Sequence, residues 1–227
     1  MLSNFLSRNI HLAFCFLILF FWWFSQLGIG FFVLVIYSSL WWLFRRNHRE
    51  EDFPQETLQE AVFSPANGKV LEVSDKIENS FFGKDLHLIR IRINPFCEYS
   101  VLLPVQSEVQ DFHFYPVWGP LRWLTVPKDF IERALGVCVT LRTRSGHLVG
   151  MQFLRCFLGF WPRLVVVPGD RGRALSRMGF FPFGGNLILY LPGHYEIVAK
   201  KGDDVIAGLT ILATTDKMVN QDEDEES

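Results

Sequence analysis

The sequence predicts a mainly β protein: a barrel-sandwich-like domain of strands that follows an N-terminal transmembrane or re-entrant helical hairpin. Residues 10–44 contain no Asp, Glu, Lys or Arg, which is the hydropathy pattern typical of a membrane segment. From about residue 61 onward, short apolar or alternating runs are separated by turn residues, a pattern typical of strands. Residues 47–60 favour a linker or a short surface helix, and from residue 62 onward only residues 128–135 favour a short helical turn. Strands therefore dominate the predicted fold after the hairpin.

The uncharged run is long enough for two helices. It spans about 35 residues, whereas one spanning helix needs only about 20. Polar and glycine residues interrupt it near its middle, at Ser25, Gln26, Gly28 and Gly30. We therefore expect two short helices over residues 10–24 and 29–44, joined by a tight turn. The first helix is short for a full crossing, so a re-entrant, monotopic anchor is an alternative to a two-pass hairpin.

The flanks of this run predict its orientation. Tryptophans lie near the ends of the two predicted helices, where an indole ring suits the membrane interface: Trp22, Trp23, Trp41 and Trp42. Residues 45–49 read RRNHR, and by the positive-inside rule this basic flank is cytoplasmic. We predict an inner-membrane anchor with the following domain on the cytoplasmic side. A signal peptide is disfavoured because the basic cluster follows the run, and a buried soluble helix is the weaker alternative.

Shifts in composition define four segments. Residues 1–46 form the predicted anchor, 47–60 a polar linker, 61–217 the β domain and 218–227 an acidic tail. The net charge of −2 and the pI of about 6.3 argue against nucleic acid as a partner. The four cysteines have no CxxC spacing and the six histidines have no metal-ligand spacing. Neither a disulfide framework nor a metal site is therefore predicted.

Within residues 61–217, strands follow from alternation and from turn signals. Residues 137–143 and 147–153 flank a turn that contains Ser145 and Gly146, which predicts a hairpin. The remaining predicted strands cover residues 70–73, 86–93, 164–167, 187–191, 195–199 and 209–213.

Three short motifs and three shorter matches occur in order along this domain. Residues 183–192 read FGGNLILYLP and resemble the processing site of the short bacterial phosphatidylserine decarboxylases, which reads FGSR before an apolar strand that ends in YLP. Residues 64–70 (SPANGKV) resemble the family motif SPADGKV, and residues 94–100 (NPFCEYS) resemble SPFDVHV. Shorter matches are Glu132 and Arg133, Gln152, and residues 169–173. The resemblance covers about residues 61–213, and family members also carry an N-terminal hydrophobic anchor.

The resemblance implies a reaction centre whose reactive side chains are missing here. In the family, a Gly-Ser bond cleaves itself and the serine becomes a pyruvoyl group, which binds the substrate amine as a Schiff base and accepts electrons as CO2 leaves. The family's processing triad is Asp, His and Ser; the matching positions are Asn67, Tyr99 and Gly185, with Gly184 before the cleaved bond. Glycine has no hydroxyl, Asn carries no charge, and Tyr, with a pKa of about 10, is a poor base at neutral pH. No pyruvoyl group, and no other cofactor, is expected.

The function that this resemblance implies is a membrane-anchored phosphatidylserine decarboxylase-like protein of phospholipid metabolism, a pseudoenzyme that binds or regulates at the membrane. Its expected ligand is a membrane lipid, with phosphatidylserine as the candidate, and Lys69, Arg171 and Arg173 are the candidate phosphate contacts. The expected assembly is a homodimer or an association with an active paralogue. Five aromatic side chains are candidates for acyl-chain contact or for core packing: Phe112, Phe114, Tyr115, Trp118 and Trp123.

Two other functions stay open on the sequence alone. One is an active decarboxylase, converting phosphatidylserine to phosphatidylethanolamine, that uses displaced residues; Ser176 and Thr210 are the hydroxyl candidates and His113 is the candidate base. Neither hydroxyl follows a glycine, which disfavours both as the cleaving residue. The other is a lipoyl-like carrier or adaptor, because Lys217 lies in a TDK turn. Only ten residues follow Lys217, whereas a lipoyl domain needs a second set of strands after its lysine.

Overall fold

The computed structural model describes residues 15–20, 27–43, 61–115, 135–155 and 160–215. The chain divides into two compact units, Met1–His48 and Arg49–Ser227. The predicted linker and the acidic tail lie outside the described residues, as do the side chains Trp118, Trp123, Glu132, Arg133 and Lys217.

The first unit is helical where it is described. Residues 15–20 are helical, and helix α1 spans Leu27–Leu43. Helix α1 begins two residues before the second predicted helix and ends one residue earlier; of the first predicted helix, only residues 15–20 are described. Across the described residues, no helix combines the length and the apolarity of a membrane-spanning candidate.

The helical residues of the first unit expose apolar side chains around much of the helix circumference. In α1 these are Phe31, Phe32, Leu34, Val35 and Ile36, and in the preceding segment they are Phe16, Leu17, Leu19 and Phe20. A helix that is apolar on most sides is typical of an element covered by lipid or by other protein.

The second unit is mainly β, which confirms the predicted class. The described residues form strands β1 Ala61–Phe63, β2 Gly68–Asn79, β3 Gly83–Ile93, β4 Ser100–Leu102, β5 Ser107–Tyr115, β6 Gly136–Thr143, β7 Leu148–Arg155, β8 Arg163–Leu164, β9 Arg171–Gly172, β10 Arg177–Phe180, β11 Gly185–Pro192, β12 Tyr195–Ile197, β13 Asp204–Val205 and β14 Ile211–Thr215. The predicted hairpin is confirmed as β6 and β7. The strand predicted over residues 164–167 is mostly wrong, because β8 ends at Leu164.

The strands pair antiparallel and form three sheets. The largest has the order β13-β2-β3-β11-β7-β6-β5-β9, and the two smaller sheets have the orders β1-β14-β12 and β4-β10-β8. Among the described strands, β13 and β9 end the large sheet without pairing to each other, so the predicted barrel-like closure is not found in this part of the chain. Both end strands have only two residues, too few for the continuous staggered register that closes a barrel.

The central strands of the large sheet are covered on both faces. Alternate residues of β3 and β11 enter the main core, which the two smaller sheets share: Ile89, Ile91, Leu187 and Leu189. The residues between them face the opposite side of the sheet, where a second cluster contains Leu86, Leu88, Leu154, Ile188 and Tyr190. Burial on both faces explains why residues 187–191 form a continuous apolar run.

Candidate functional site

The predicted processing positions lie at one end of the large sheet. Gly68, near the start of β2, is in register with Ile93 at the end of β3, and β11 begins beside that same end of β3. Because these strands are antiparallel, the loop before β2, the loop after β3 and the loop before β11 meet there. Asn67 and Tyr99 lie in the first two of these loops, and Gly185 is the first residue of β11, directly after the third.

Asn67 holds two loops against the start of β2. Its backbone carbonyl accepts the N–H of Asn94 at 3.1 Å, and its side-chain Oδ1 accepts the N–H of Ala207 at 2.9 Å. A carboxylate oxygen could accept the same bond. The amide therefore preserves the structural contact and lacks only the negative charge.

Tyr99 is buried and its polar groups bond to neighbouring backbone. Its hydroxyl donates to the carbonyl of Pro95 at 2.8 Å, and its own carbonyl accepts the N–H of Phe181 at 2.7 Å. Its ring centroid lies 5.6 Å from that of Phe183. Tyr99 thus connects the loop after β3 to the segment that leads into β11.

Gly185 occupies a position that has no room for a side chain. A Cβ added there would lie 2.4 Å from the carbonyl oxygen of Leu154 and 2.6 Å from Cζ of Phe181. Distances below 3.0 Å are essentially never seen for a real Cβ, and a backbone carbonyl in a strand cannot move aside cheaply. The ring of Phe181 is fully buried and packs edge-on against Phe153 at 5.7 Å. The space that a serine side chain would need is therefore occupied by the strand and the core.

The turn before Gly185 is conformationally strained. Phe183 and Gly184 both have left-handed backbones, with φ of +58° and +69°. This region disfavours residues that carry a Cβ, at a cost of about 1–3 kcal/mol. At Gly184 an added Cβ would also lie 2.6 Å from the carbonyl oxygen of Ile93. The Phe183 ring is held between neighbouring rings, with Phe160 at 5.6 Å on one side.

The three predicted phosphate contacts have different neighbours. Lys69 lies on β2, with its Nζ 3.9 Å from Oδ1 of Asp204. Arg171 lies on β9, where its Nε donates to Oε2 of Glu108 at 2.7 Å, and Arg173 is exposed beyond it. Strands β2 and β9 are second and eighth in the order of the large sheet. No residue links the three cations within the described contacts, and their role stays a prediction.

The displaced-residue candidates are engaged in local hydrogen bonds. The Ser176 hydroxyl donates to the carbonyl of Arg173 at 2.7 Å. Thr210 lies in a turn instead of the predicted strand, and its hydroxyl accepts the N–H of Ile206 at 3.0 Å. His113 bonds Oδ2 of Asp111 through Nε2 at 2.8 Å. It lies on β5, three strands from β11 in the sheet order, or roughly 14 Å at about 4.8 Å per strand.

The aromatic candidates that the structure describes are partly exposed and partly packed. Phe112, Phe114 and Tyr115 are exposed at the end of β5, while the Phe114 ring also packs edge-on against Trp161 at 5.1 Å. These positions are therefore consistent with both interpretations of the aromatic residues, acyl-chain contact and core packing.

A satisfied polar network lies at the other end of β11. The Tyr190 hydroxyl donates to Oε1 of Gln152 at 2.7 Å, and Nε2 of Gln152 donates to the carbonyl of Leu135 at 2.6 Å. Burial raises the pKa of Tyr190 and raises the pKa of the adjacent Cys138 thiol to about 12. Both groups are therefore neutral at physiological pH, and Cys138 has no nucleophilic thiolate to offer.

The described residues contain no group of three or more His, Cys, Asp or Glu side chains that could hold a metal ion.

The sequence patterns did not indicate Arg92 and Asn186, which lie beside position 185. Two arginines two residues apart in the apolar strand β3, Arg90 and Arg92, were the available signal, because such spacing places both on one face.

Similarity to known proteins decides the family. No family model matches the chain. Proteins named phosphatidylserine decarboxylase proenzyme from Nitrosomonas eutropha and Symbiobacterium thermophilum are 30% and 31% identical to it, over 159 and 173 residues. These matches cover 69% and 75% of this chain and 71% and 76% of the two relatives. The chain belongs to the phosphatidylserine decarboxylase family. A relative of the same name from Magnetococcus marinus is 26% identical over 82% of the chain.

Within this phosphatidylserine decarboxylase-family chain, the surroundings of position 185 leave no room for the serine of the family motif. The motif FGSR would place a hydroxymethyl group where the carbonyl of Leu154 and the ring of Phe181 now lie. In this chain the glycine at position 185 is therefore matched to a site with no space for a side chain.

Proposed function

We propose that this chain is a membrane-anchored phosphatidylserine decarboxylase-family protein that does not form the pyruvoyl group and that binds an aminophospholipid. The observation that carries the proposal is the packing at Gly185, where an added Cβ would lie 2.4 Å from a strand carbonyl. Self-cleavage needs a hydroxyl at this position, and neither the residue nor its surroundings provide one.

The other two processing positions support the same conclusion. Asn67 and Tyr99 bond to backbone groups that hold the loops of the site together. A general base must reach the proton that it removes and must have a suitable pKa. The Asn67 amide and the Tyr99 phenol stabilise the loops of this fold. They provide neither a general base nor the negative charge that would orient one.

Membrane anchoring rests on the first unit. Residues 10–44 are uncharged and a basic cluster follows them, and the described part of α1 exposes Phe31 and Phe32. We propose attachment to the cytoplasmic face of the inner membrane, which places the β unit next to its lipid ligand. Phosphatidylserine is the proposed ligand, and a homodimer or an active paralogue is the proposed protein partner through which binding regulates phospholipid synthesis.

The intact mass of the full-length protein, purified in detergent, tests the central claim. We expect one chain near 26.4 kDa and no release of CO2 from phosphatidylserine. A fragment that begins at residue 185 with a blocked N-terminus would overturn the proposal. The triple variant Asn67→Asp/Tyr99→His/Gly185→Ser is the sharper test: we expect it to stay uncleaved because the Leu154 carbonyl still occupies the serine site.

A further inference from the structure

Two arginines on the same face of β3 have contrasting neighbours. Arg90 lies opposite Glu72 of β2, and the two side chains form an ion pair at 3.0 Å. Arg92 lies opposite Lys69 of the same strand. Within the described part of the chain, the half-buried Arg92 side chain has no ion pair and no hydrogen bond. One arginine is therefore neutralised across the strand pair, while the next faces a like charge.

Within the described residues, no strong ion pair offsets the repulsion between Lys69 and Arg92. Cations directly opposite each other on neighbouring strands repel and destabilise the sheet. The only ion pair that Lys69 makes in the described contacts is with Asp204, at 3.9 Å and with 45% and 85% of the side chains exposed. Such an exposed pair contributes little. The strand pair thus presents two positive charges that an anion would stabilise.

A buried acceptor lies on the other side of Arg92. Asn186 of β11 is in register with Arg92 and is only 5% exposed. Its Oδ1 has no hydrogen-bond donor anywhere in the described structure. Buried side-chain acceptors are nearly always paired. Arg90 Nε, on the neighbouring strand, is also buried without a partner in the described structure. A ligand group or an ordered water that donates to Asn186 would complete its hydrogen bonding.

The three side chains form a row that leads from the surface into the protein. Residues in register on neighbouring strands share a face, and neighbouring strands are about 4.8 Å apart. Lys69 and Arg92 are both half-buried and Asn186 is buried, and Leu154 of β7 follows as the apolar end. Two cations and then an acceptor are thus presented over two strand spacings, at the same end of the sheet as Gly185 but on the face opposite to the one that a side chain at position 185 would occupy.

We propose that Lys69, Arg92 and Asn186 bind a phosphorylated amino alcohol, the head-group chemistry of an aminophospholipid. The phosphate pairs with the forked guanidinium of Arg92 and with Lys69, and the ammonium group donates to Oδ1 of Asn186. The ligand thus satisfies the like charges and the buried acceptor together. This inference rests on the proposed function, because it specifies the residues and ligand class of the same end of the sheet.

Calorimetric titration of the full-length protein in detergent tests this site with O-phosphoethanolamine, with glycerol phosphate as the anion that lacks an amine. We expect O-phosphoethanolamine to bind more tightly than glycerol phosphate. Arg92→Gln should weaken both by at least tenfold, because it removes the main phosphate contact. Asn186→Leu should abolish the preference between them and leave glycerol phosphate binding within about twofold. Arg144→Gln, in the exposed β6–β7 turn, is the charge-matched control and should bind as the unaltered protein does.

Equal binding by the Arg92→Gln and Arg144→Gln variants would overturn the site. So would an O-phosphoethanolamine preference that survives Asn186→Leu. Lys69→Gln, on the neighbouring strand, tests the same row if Arg92→Gln does not fold, and it should weaken both ligands by about threefold to tenfold.

Lipid nanodiscs distinguish a membrane head group from a free phosphorylated amine. Discs that contain phosphatidylserine should compete with O-phosphoethanolamine, and phosphatidylcholine discs should not; competition by neither disc would overturn the lipid as the source. Mass spectrometry of the same samples separates the two proposals. An intact chain without head-group binding rejects only this site, whereas a cleaved chain rejects the proposed function.

Discussion

Two groups of buried polar side chains, one near each end of β11, differ in whether their hydrogen bonds are complete within the described residues. At the Tyr190 end, the phenol and Gln152 bond each other and the Leu135 carbonyl, so the network is closed within the chain. At the Gly185 end, Asn186 has an unpaired buried oxygen and Arg92 faces Lys69. Networks that are complete stabilise a fold, while incomplete ones concentrate where a ligand completes them. The contrast supports the proposal that the Tyr190 end is framework and the Gly185 end binds a ligand.

The largest expected effect is at Gly185. Gly185→Ser should lower the free energy of unfolding by about 3 kcal/mol, because overpacking against the Leu154 carbonyl and the Phe181 ring forces the strand to shift. It should also leave the chain uncleaved. Chemical denaturation and intact mass measure the two outcomes. Gly146→Asn is the control, since φ is +90° there and no atom lies within 4 Å of the added Cβ; its effect should stay within about 1 kcal/mol. A stable, self-cleaving Gly185→Ser protein would contradict the closed geometry.

The next prediction concerns the hydrogen bond between Tyr190 and Gln152. Tyr190→Phe should cost about 1–3 kcal/mol, because it leaves Oε1 of Gln152 buried without this donor. Tyr195→Phe is the matched control: Tyr195 is also buried, but its hydroxyl has no hydrogen bond in the described structure, so its loss should cost less than about 0.5 kcal/mol. Urea denaturation of both variants gives the comparison. Equal losses would mean that the Tyr190–Gln152 bond does not contribute to stability.

How far the sequence predicts this molecule depends on the range of the interactions. Alternation within β3 and the turn at Ser145 and Gly146 are local, so the strands and the hairpin follow from the sequence. The 183–186 motif also pointed to the family that the similar proteins confirm, while its assignment as the reaction-centre position stays a prediction. Whether β13 and β9 close a sheet depends on pairing between distant segments, which a local pattern does not contain.

The candidate site shows the same limit. The missing hydroxyl at Gly185 is visible in the sequence, but its closed surroundings come from Leu154 on β7. Similarly, Lys69, Arg92 and Asn186 come from three strands and become neighbours only through the register of β2, β3 and β11. Residue type alone grouped Lys69 with Arg171, which lies at the opposite end of the sheet order.

The next prediction concerns how stability changes at alkaline pH, through Cys138 and Tyr190 at the framework end of β11. Burial raises the pKa of Cys138 from 9.0 to about 12, so the unfolded chain loses this proton near pH 9 while the folded chain keeps it. Between these values unfolding releases a proton, and stability falls as pH rises, by up to about 1.4 kcal/mol per pH unit. The raised pKa of Tyr190 acts in the same direction at still higher pH. Urea midpoints from pH 7 to 11 should therefore fall less steeply for Cys138→Ala than for Cys97→Ala, and identical slopes would contradict this assignment.

The smallest expected effect compares the two arginines of β3. Arg90→Gln removes the ion pair with Glu72, which is partly shielded because only 11% of the Arg90 side chain is exposed, and should cost about 1 kcal/mol. Arg92→Gln removes a charge that faces Lys69, so stability should be unchanged or rise by about 0.2–0.5 kcal/mol. Thermal unfolding at low ionic strength shows the difference best, because salt screens the repulsion between Lys69 and Arg92. A loss for Arg92→Gln as large as that for Arg90→Gln would mean that Arg92 stabilises the fold, and the distinction between a framework end and a binding end would fail.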